Sequence, residues 1–307
     1  MIDFKLNNYK LINSSDNIIP FKRNIQKVCR FCNKTSSEVS FNTVPHIIPE
    51  LFGKNSVTSN FECDNCNNTF QLYESSLSTL VLPYITLLGI RTKNKIPSFQ
   101  SSKKNGKKAT LMRIRDNVRE FNFHNNLDDI EIDYSENKCT IIFRTKKFVP
   151  FHIHQILLKI SISLLPESDL IENKHYLDHL FCKEPLNNGS EIPELWRYQL
   201  GNKIFKKPSA KLFKAKDVLV DKEEFPEYFL VLAFGNIVFQ YFLPLSKKNK
   251  HIHKKSNNIS FEIFPAFYWN ISKINKIEYN TFDILETRKV TIDEKIDLTF
   301  DKIQSDN

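Results

Sequence analysis

The sequence predicts an α+β protein: a small N-terminal unit built around two cysteine knuckles, then a larger α+β domain with antiparallel strands. Three observations carry that expectation. Four of the six cysteines fall in two Cys-x-x-Cys pairs, Cys29–Cys32 and Cys63–Cys66. Directly after the second pair, Phe70, Tyr73, Leu77, Leu80 and Val81 recur with the 3.6-residue period of a helix. Farther on, short β-branched and aromatic runs alternate with turn residues, the pattern of hairpin-linked strands.

In chain order, Val39-Ser40-Phe41-Asn42-Thr43-Val44 alternates and predicts a short strand entering His46. Pro49 and Gly53 punctuate the loop that follows. The helix is expected to begin near the second cysteine pair, with Asp64 or Asn65 as its cap, and to end or kink at Leu82-Pro83. Knuckle, strand, loop and knuckle-on-helix make one unit over residues 1–90. Residues 91–116 form a basic connecting segment, since no acidic residue occurs from Arg91 through Arg115. Within it Ser101 to Lys108 reads as an exposed turn. Over 117–307 strands are expected at Val118–Phe123, Ile130–Tyr134 and Cys139–Arg144, with Ser135 to Lys138 turning between the last two. A helix follows from Pro150 to Leu165, Pro150 suiting its first position. Gly235-Asn236 joins Tyr228–Phe234 to Ile237–Leu243 as a tight hairpin. The tail frays at Gln304–Asn307.

Composition excludes several classes. With 26 phenylalanines and 6 glycines in 307 residues, the chain is neither low-complexity nor disordered. A net charge of +9 favours a polyanionic partner. The apolar stretch Tyr228 to Leu243 is short for a membrane helix and carries Gly235, Asn236 and Gln240, so it reads as soluble strands and no membrane partner is expected. The first residues lack an apolar signal core, and Cys139 and Cys182 stand alone in apolar surroundings; both point to a reducing cytoplasm.

The paired spacing supplies four thiolates, Cys29, Cys32, Cys63 and Cys66, for a structural Zn²⁺, with disulfides as the competing use. Between the pairs lies Val44-Pro45-His46-Ile47-Ile48-Pro49-Glu50, with Gly53 after it, and Asn67 follows the last cysteine. Taken in order, these residues resemble the zinc-stabilised branch of the HNH endonucleases, whose ββα-metal module is a treble clef. The likeness covers roughly the first quarter of the chain.

The resemblance implies a divalent-metal-dependent hydrolase of phosphodiester bonds, acting on DNA, with RNA the other candidate. His46 would be the general base, an imidazole being suited to proton transfer near neutrality. Asn67 would ligate a catalytic Mg²⁺ or Mn²⁺, and Asn60 best matches the asparagine that orients the base. Pro45 stands where the family usually has an acidic or histidine metal ligand. Glu74, seven positions after Asn67 and on the same helical face, is the candidate replacement, ahead of Glu50 and Glu62. The null use of Asn67 is a helix cap, and of Glu74 a solvated helix residue. Lys93, Lys95, Lys103, Lys104, Lys107 and Lys108 would line a phosphate track or merely form a solvated surface. Lys247 to Lys255 is a second basic loop with the same two readings, while His152 and His154 read as structural. A lone HNH module on an unfamiliar domain is an arrangement of bacterial restriction and antiviral effectors, in which residues 117–307 would select the target, self-associate or sense a trigger. The competing functions are a zinc-folded nucleic-acid-binding protein without catalysis, and a protein-interaction module.

Overall fold

The computed structural model describes residues 9–17, 27–93, 95–102, 111–115, 118–122, 129–186, 192, 194–201, 205–216, 226–245 and 277–299. Along the chain, β1 (Tyr9–Ser14) precedes the knuckles and α1 (Asp64–Leu87) follows them. Five short strands come next: β2 (Phe99–Gln100), β3 (Leu111–Arg115), β4 (Val118–Asn122), β5 (Ile130–Asp133) and β6 (Lys138–Arg144). Three helices follow, α2 (Pro150–Leu164), α3 (Glu167–Glu172) and α4 (His175–Phe181). The remaining strands are β7 (Glu194–Leu200), β8 (Phe205–Ala215), β9 (Tyr228–Gly235), β10 (Ile237–Phe242), β11 (Ile277–Asp283) and β12 (Asp293–Thr299). The expected α+β class is the observed one.

The largest sheet is six-stranded and antiparallel, in the order β1-β8-β9-β10-β7-β11. Its first edge strand, β1, thus comes from ahead of the knuckles. Every residue of β9 and β10 is buried, so both faces of the sheet are covered at its centre. Leu230, Leu232, Phe234, Phe239 and Tyr241 face one core, which also holds Cys29, Ile47, Phe52 and Phe70 from the knuckle region. Phe229, Val231, Ala233, Val238 and Phe242 face a second cluster with Tyr9. The alternation is the period-2 placement of strand side chains. The predicted hairpin forms at Gly235, whose φ of 53° lies in the left-handed region, and a Cβ there would come 2.5 Å from Leu88 Cδ1. The tight turn of the sheet therefore rests on the exit of α1.

Between sheet and knuckles runs α2. Every residue of it except His152 is buried, and it packs on α1, α4, β8 and β9. His154, Gln155, Lys159, Ser161 and Ser163 are buried along with the apolar residues of this helix. Pro150 occupies its first turn, as expected.

Three expectations are corrected. The strand over Val39–Val44 does not form. The backbone N–H groups of Asn42 and Thr43 instead donate to the Asp64 carboxylate at 3.0 and 2.9 Å, and Val44 is exposed. A carboxylate that captures successive amides bends the chain and leaves no ladder to build. Of the two outcomes expected at Leu82-Pro83, an end or a kink, the end is not observed, since α1 runs on to Leu87. Proline costs a helix one hydrogen bond, and here burial of Leu80, Val81, Tyr84 and Ile85 outweighs that loss. The helix cap is Cys63, ahead of the expected Asp64 or Asn65.

A buried ion pair ties α1 to the sheets. Arg197 of β7 meets Glu294 of β12 in a two-point contact at 2.7 and 2.9 Å, and Tyr84 of α1 donates to the same carboxylate at 2.8 Å. The Arg197 guanidinium also lies 4.8 Å from the Tyr84 ring centroid and 4.6 Å from that of Phe282. Glu294→Ala would leave a desolvated guanidinium with no counter-charge. The expected result is a loss of roughly 3–5 kcal/mol in unfolding free energy, read from the shift in urea midpoint.

Candidate active site

The four knuckle sulfurs converge. Cys29 Sγ lies 3.8 Å from Cys66 Sγ, Cys32 Sγ lies 3.8 Å from Cys63 Sγ, and all four fall within 4.8 Å of one another. A tetrahedral zinc with bonds of about 2.3 Å sets its sulfurs about 3.8 Å apart, whereas a disulfide needs about 2.05 Å. The cysteines are therefore free thiols positioned to bind zinc. The hydrogen bond with Cys66 draws the Cys29 thiol down to about 5, and the same contact, with burial, drives Cys66 strongly up. One buried thiolate suppresses the next, so four coexist only around a cation. Local geometry supports the first knuckle: Asn33 takes a left-handed φ of 58° and its N–H donates to Cys29 O at 2.8 Å.

The residue between Cys29 and Phe31 locks the knuckle onto α2. Arg30 is buried, donates to the carbonyls of Ile162 and Leu165 at the C-terminal end of α2, and pairs with Glu167 at 2.7 Å. A cation at a helix C-terminus satisfies carbonyls that have no partner within the helix.

His46 sits not at the end of a strand over Val39–Val44 but on a short antiparallel bridge. It bridges Thr58, Ile47 N donates to Val57 O at 2.9 Å, and Ser59 N donates to Pro45 O at 2.7 Å. The 3₁₀ turn Glu50–Phe52, ended by Gly53 at φ 121°, folds Glu50 back so that Oε1 stands 3.5 Å from His46 Nε2. Asn55 Oδ1 lies 3.4 Å from the other ring nitrogen, Nδ1. The Asn55 amide donates to Ile48 O and Gly53 O at 3.3 and 3.1 Å, which fixes its oxygen toward the ring. Acceptors thus face both ring nitrogens, the Asn55 amide oxygen at Nδ1 and the Glu50 carboxylate at Nε2.

Charge gathers behind the ring. Lys159, from α2, donates to the His46 carbonyl at 2.7 Å and stands 3.2 Å from Glu62 Oε2, with both side chains almost wholly buried. The contact with Glu62 is an ion pair outside hydrogen-bond geometry, since neither Glu62 oxygen makes a hydrogen bond. Burial pushes the Glu62 carboxyl up to about 7 against the pull of Lys159. Burial also raises Glu74, while Lys159 and His46 pull it down and Glu50 adds to the rise. Glu74 therefore shares one electrostatic neighbourhood with His46, Glu50, Glu62 and Lys159. Beside Glu50 and Lys93 a groove of about 220 Å³ opens, floored by Leu82 and Ile85.

Of the remaining sequence-predicted residues, Asn67 is half-buried in the first turn of α1, its N–H donating to Cys63 O at 3.0 Å. Asn60 lies exposed in the bend before the second knuckle, and the asparagine set against the His46 ring is Asn55. Lys93 is exposed with Nζ 4.0 Å from Glu50 Oε2, and Lys95 is exposed. Lys103, Lys104, Lys107 and Lys108, the basic loop at 247–255 and the 304–307 tail lie outside the described residues. His152 Nδ1 meets Ser76 Oγ and His154 Nδ1 meets Tyr241 OH, both at 3.2 Å. Sequence reasoning missed Asn55 and Lys159. A single charge inside Ile156-Leu157-Leu158-Lys159-Ile160 is the available signal, because a lysine flanked by apolar residues in a buried helix requires a buried partner.

Residues 29–76 match the family model for HNH endonucleases. That stretch runs from the first thiol of the zinc knuckles to the third turn of α1, and it contains His46, Asn55, Asn67 and Glu74. No curated protein and no solved structure matches the chain. An HNH segment points to nuclease activity and implies a nucleic-acid substrate. Among the described residues no helix is long and apolar enough to cross a membrane.

Proposed function

We propose that this protein is a divalent-metal-dependent endonuclease that hydrolyses DNA phosphodiester bonds with its HNH segment. The observation that supports this most directly is the His46 ring, with one nitrogen turned to Asn55 and the other to the Glu50 side of a zinc-anchored turn. In this reading His46 Nε2 takes a proton from the water that attacks the phosphorus. Asn55, by holding Nδ1–H, keeps the lone pair on the working nitrogen. Asn67 and Glu74 would hold the catalytic Mg²⁺ or Mn²⁺. When bound, that ion neutralises charge building on the phosphate and the leaving oxygen.

The donor chemistry fits. Glu74 is a half-buried carboxylate in the field of Lys159 and His46, on the helix face of Asn67. Among the described residues the four cysteines are the sole preassembled group of three or more His, Cys, Asp or Glu side chains. Mg²⁺ suits such a site, since it is held by one or two carboxylates together with waters and substrate phosphates. Pro45, in the place of a customary ligand, contributes its carbonyl to the hairpin through Ser59 N–H instead. Lys93 borders the groove where phosphates would run, and Lys95 is exposed two residues farther on. Residues 117–307 would select the target, self-associate or sense a trigger, as in restriction or antiviral effectors of the bacterial cytoplasm.

Pro45 also favours a second reading, a zinc-folded nucleic-acid-binding protein that does not cleave. Supercoiled plasmid incubated with the full chain and Mg²⁺ or Mn²⁺ separates the two. Conversion to nicked or linear DNA that stops on chelation, and is lost in His46→Ala, supports the nuclease. Intact plasmid under every metal, with binding that weakens steeply as salt rises, supports the binder.

A further inference from the structure

We propose that Lys159 is a positioning residue of the nuclease site: its buried ammonium, delivered by α2 from far outside the HNH segment, clamps the main chain of His46 and so aims the imidazole. The inference rests on the nuclease reading for its consequence and on geometry for its mechanism. Lys159 Nζ donates to the His46 carbonyl at 2.7 Å, the shortest tether the loop has to the helix layer among the contacts described above. The ammonium is itself held from two sides, by Glu62 at 3.2 Å and by the face of Phe70 at 5.7 Å. Both the lysine side chain (1% exposed) and the Glu62 side chain (0%) are sealed from water. A charge kept at that cost in a helix with no other lysine, arginine or carboxylate is aimed at something, and what it touches is the backbone of the base.

The chemistry of a buried pair also offers a blander role. Lys159 would then serve only to neutralise Glu62 and to offset the charge of Glu74, and His46 would be a bystander. The two roles part company when both charges are removed. Apolar residues of similar volume in place of a buried ion pair leave stability nearly unchanged or improved, whereas removal of one partner is costly. Lys159→Met alone is thus a poor test, and Lys159→Met/Glu62→Met is the decisive one.

The full chain carrying both substitutions is expected to keep one zinc and a melting temperature near that of the wild type. Its kcat on plasmid should nevertheless fall about 100-fold with KM little changed, as for a reacting group displaced by about an ångström. A double variant that cleaves at the wild-type rate overturns the proposal and leaves Lys159 as the counter-charge of Glu62. The second measurement needs no cleavage: ¹⁵N spectra of the imidazoles, with the His46 signals assigned by their loss in His46→Ala. The wild type should show one resolved pair of His46 ring-nitrogen signals and the double variant an averaged pair. An unchanged His46 spectrum in the double variant also overturns the proposal. A wild-type protein with an ordered ring and no cleavage under any metal would defeat the nuclease reading while leaving the clamp standing.

Discussion

Cys63→Ser is expected to strip the protein of zinc and to unfold the HNH segment. Serine keeps the shape of the side chain but offers no thiolate, so the remaining three sulfurs face one another without a complete tetrahedron. Structural zinc contributes apparent binding energies of about 10–16 kcal/mol, more than the whole stability of a typical domain. The damage does not stay local. Phe31, Ile47, Ile48, Phe52 and Phe70 share one core with α2 and with the inner face of the six-stranded sheet. Arg30, one residue from Cys29, also carries the cap on the end of α2. Metal analysis should fall from one zinc per chain to none, and thermal melting should lose its cooperative transition or move down by tens of degrees. Retention of stoichiometric zinc with unchanged melting would show that the four sulfurs at 3.8 Å spacing are not the metal site.

The second large effect concerns chemistry rather than folding. His46→Ala should lower kcat for DNA cleavage by about 10²–10⁴, the usual contribution of a positioned general base. Stability should hold, because the imidazole is 26% exposed and makes its contacts at the rim of the cleft rather than in the core. Zinc content should hold as well, since no His46 atom is among the four ligands. DNA affinity should change little, as phosphate contacts set it. Single-turnover cleavage measured beside a binding titration checks all of this. An alanine variant that cuts at the wild-type rate would remove His46 from the mechanism.

Much of the site is legible in the sequence because its parts are local. Two Cys-x-x-Cys pairs on either side of a histidine need no knowledge of distant chain to be read as zinc ligands and a loop. The helix after Cys66 announces itself by period, and Glu74 by its spacing from Asn67. Where the reading fails, a side chain has competed with the backbone. The alternation over Val39–Val44 is a fair strand signal, yet Asp64, more than twenty residues later, takes two of its amides. Asn55, which the sequence does not single out, meets the His46 ring because a turn closes around Gly53.

What the residues alone determined is the chemistry on offer: four soft thiolates at knuckle spacing, an imidazole between them, and an amide and a carboxylate on one helical face. These follow from composition and short-range geometry, which obey fixed periods. Only the folded chain decided that a lysine more than a hundred positions away holds the carbonyl of that histidine, that an arginine inside the first knuckle closes the end of α2, and that β1 joins the far sheet. Such pairings are settled by which buried charge meets which partner once water is excluded, and desolvation acts on the assembled core rather than on any segment of it.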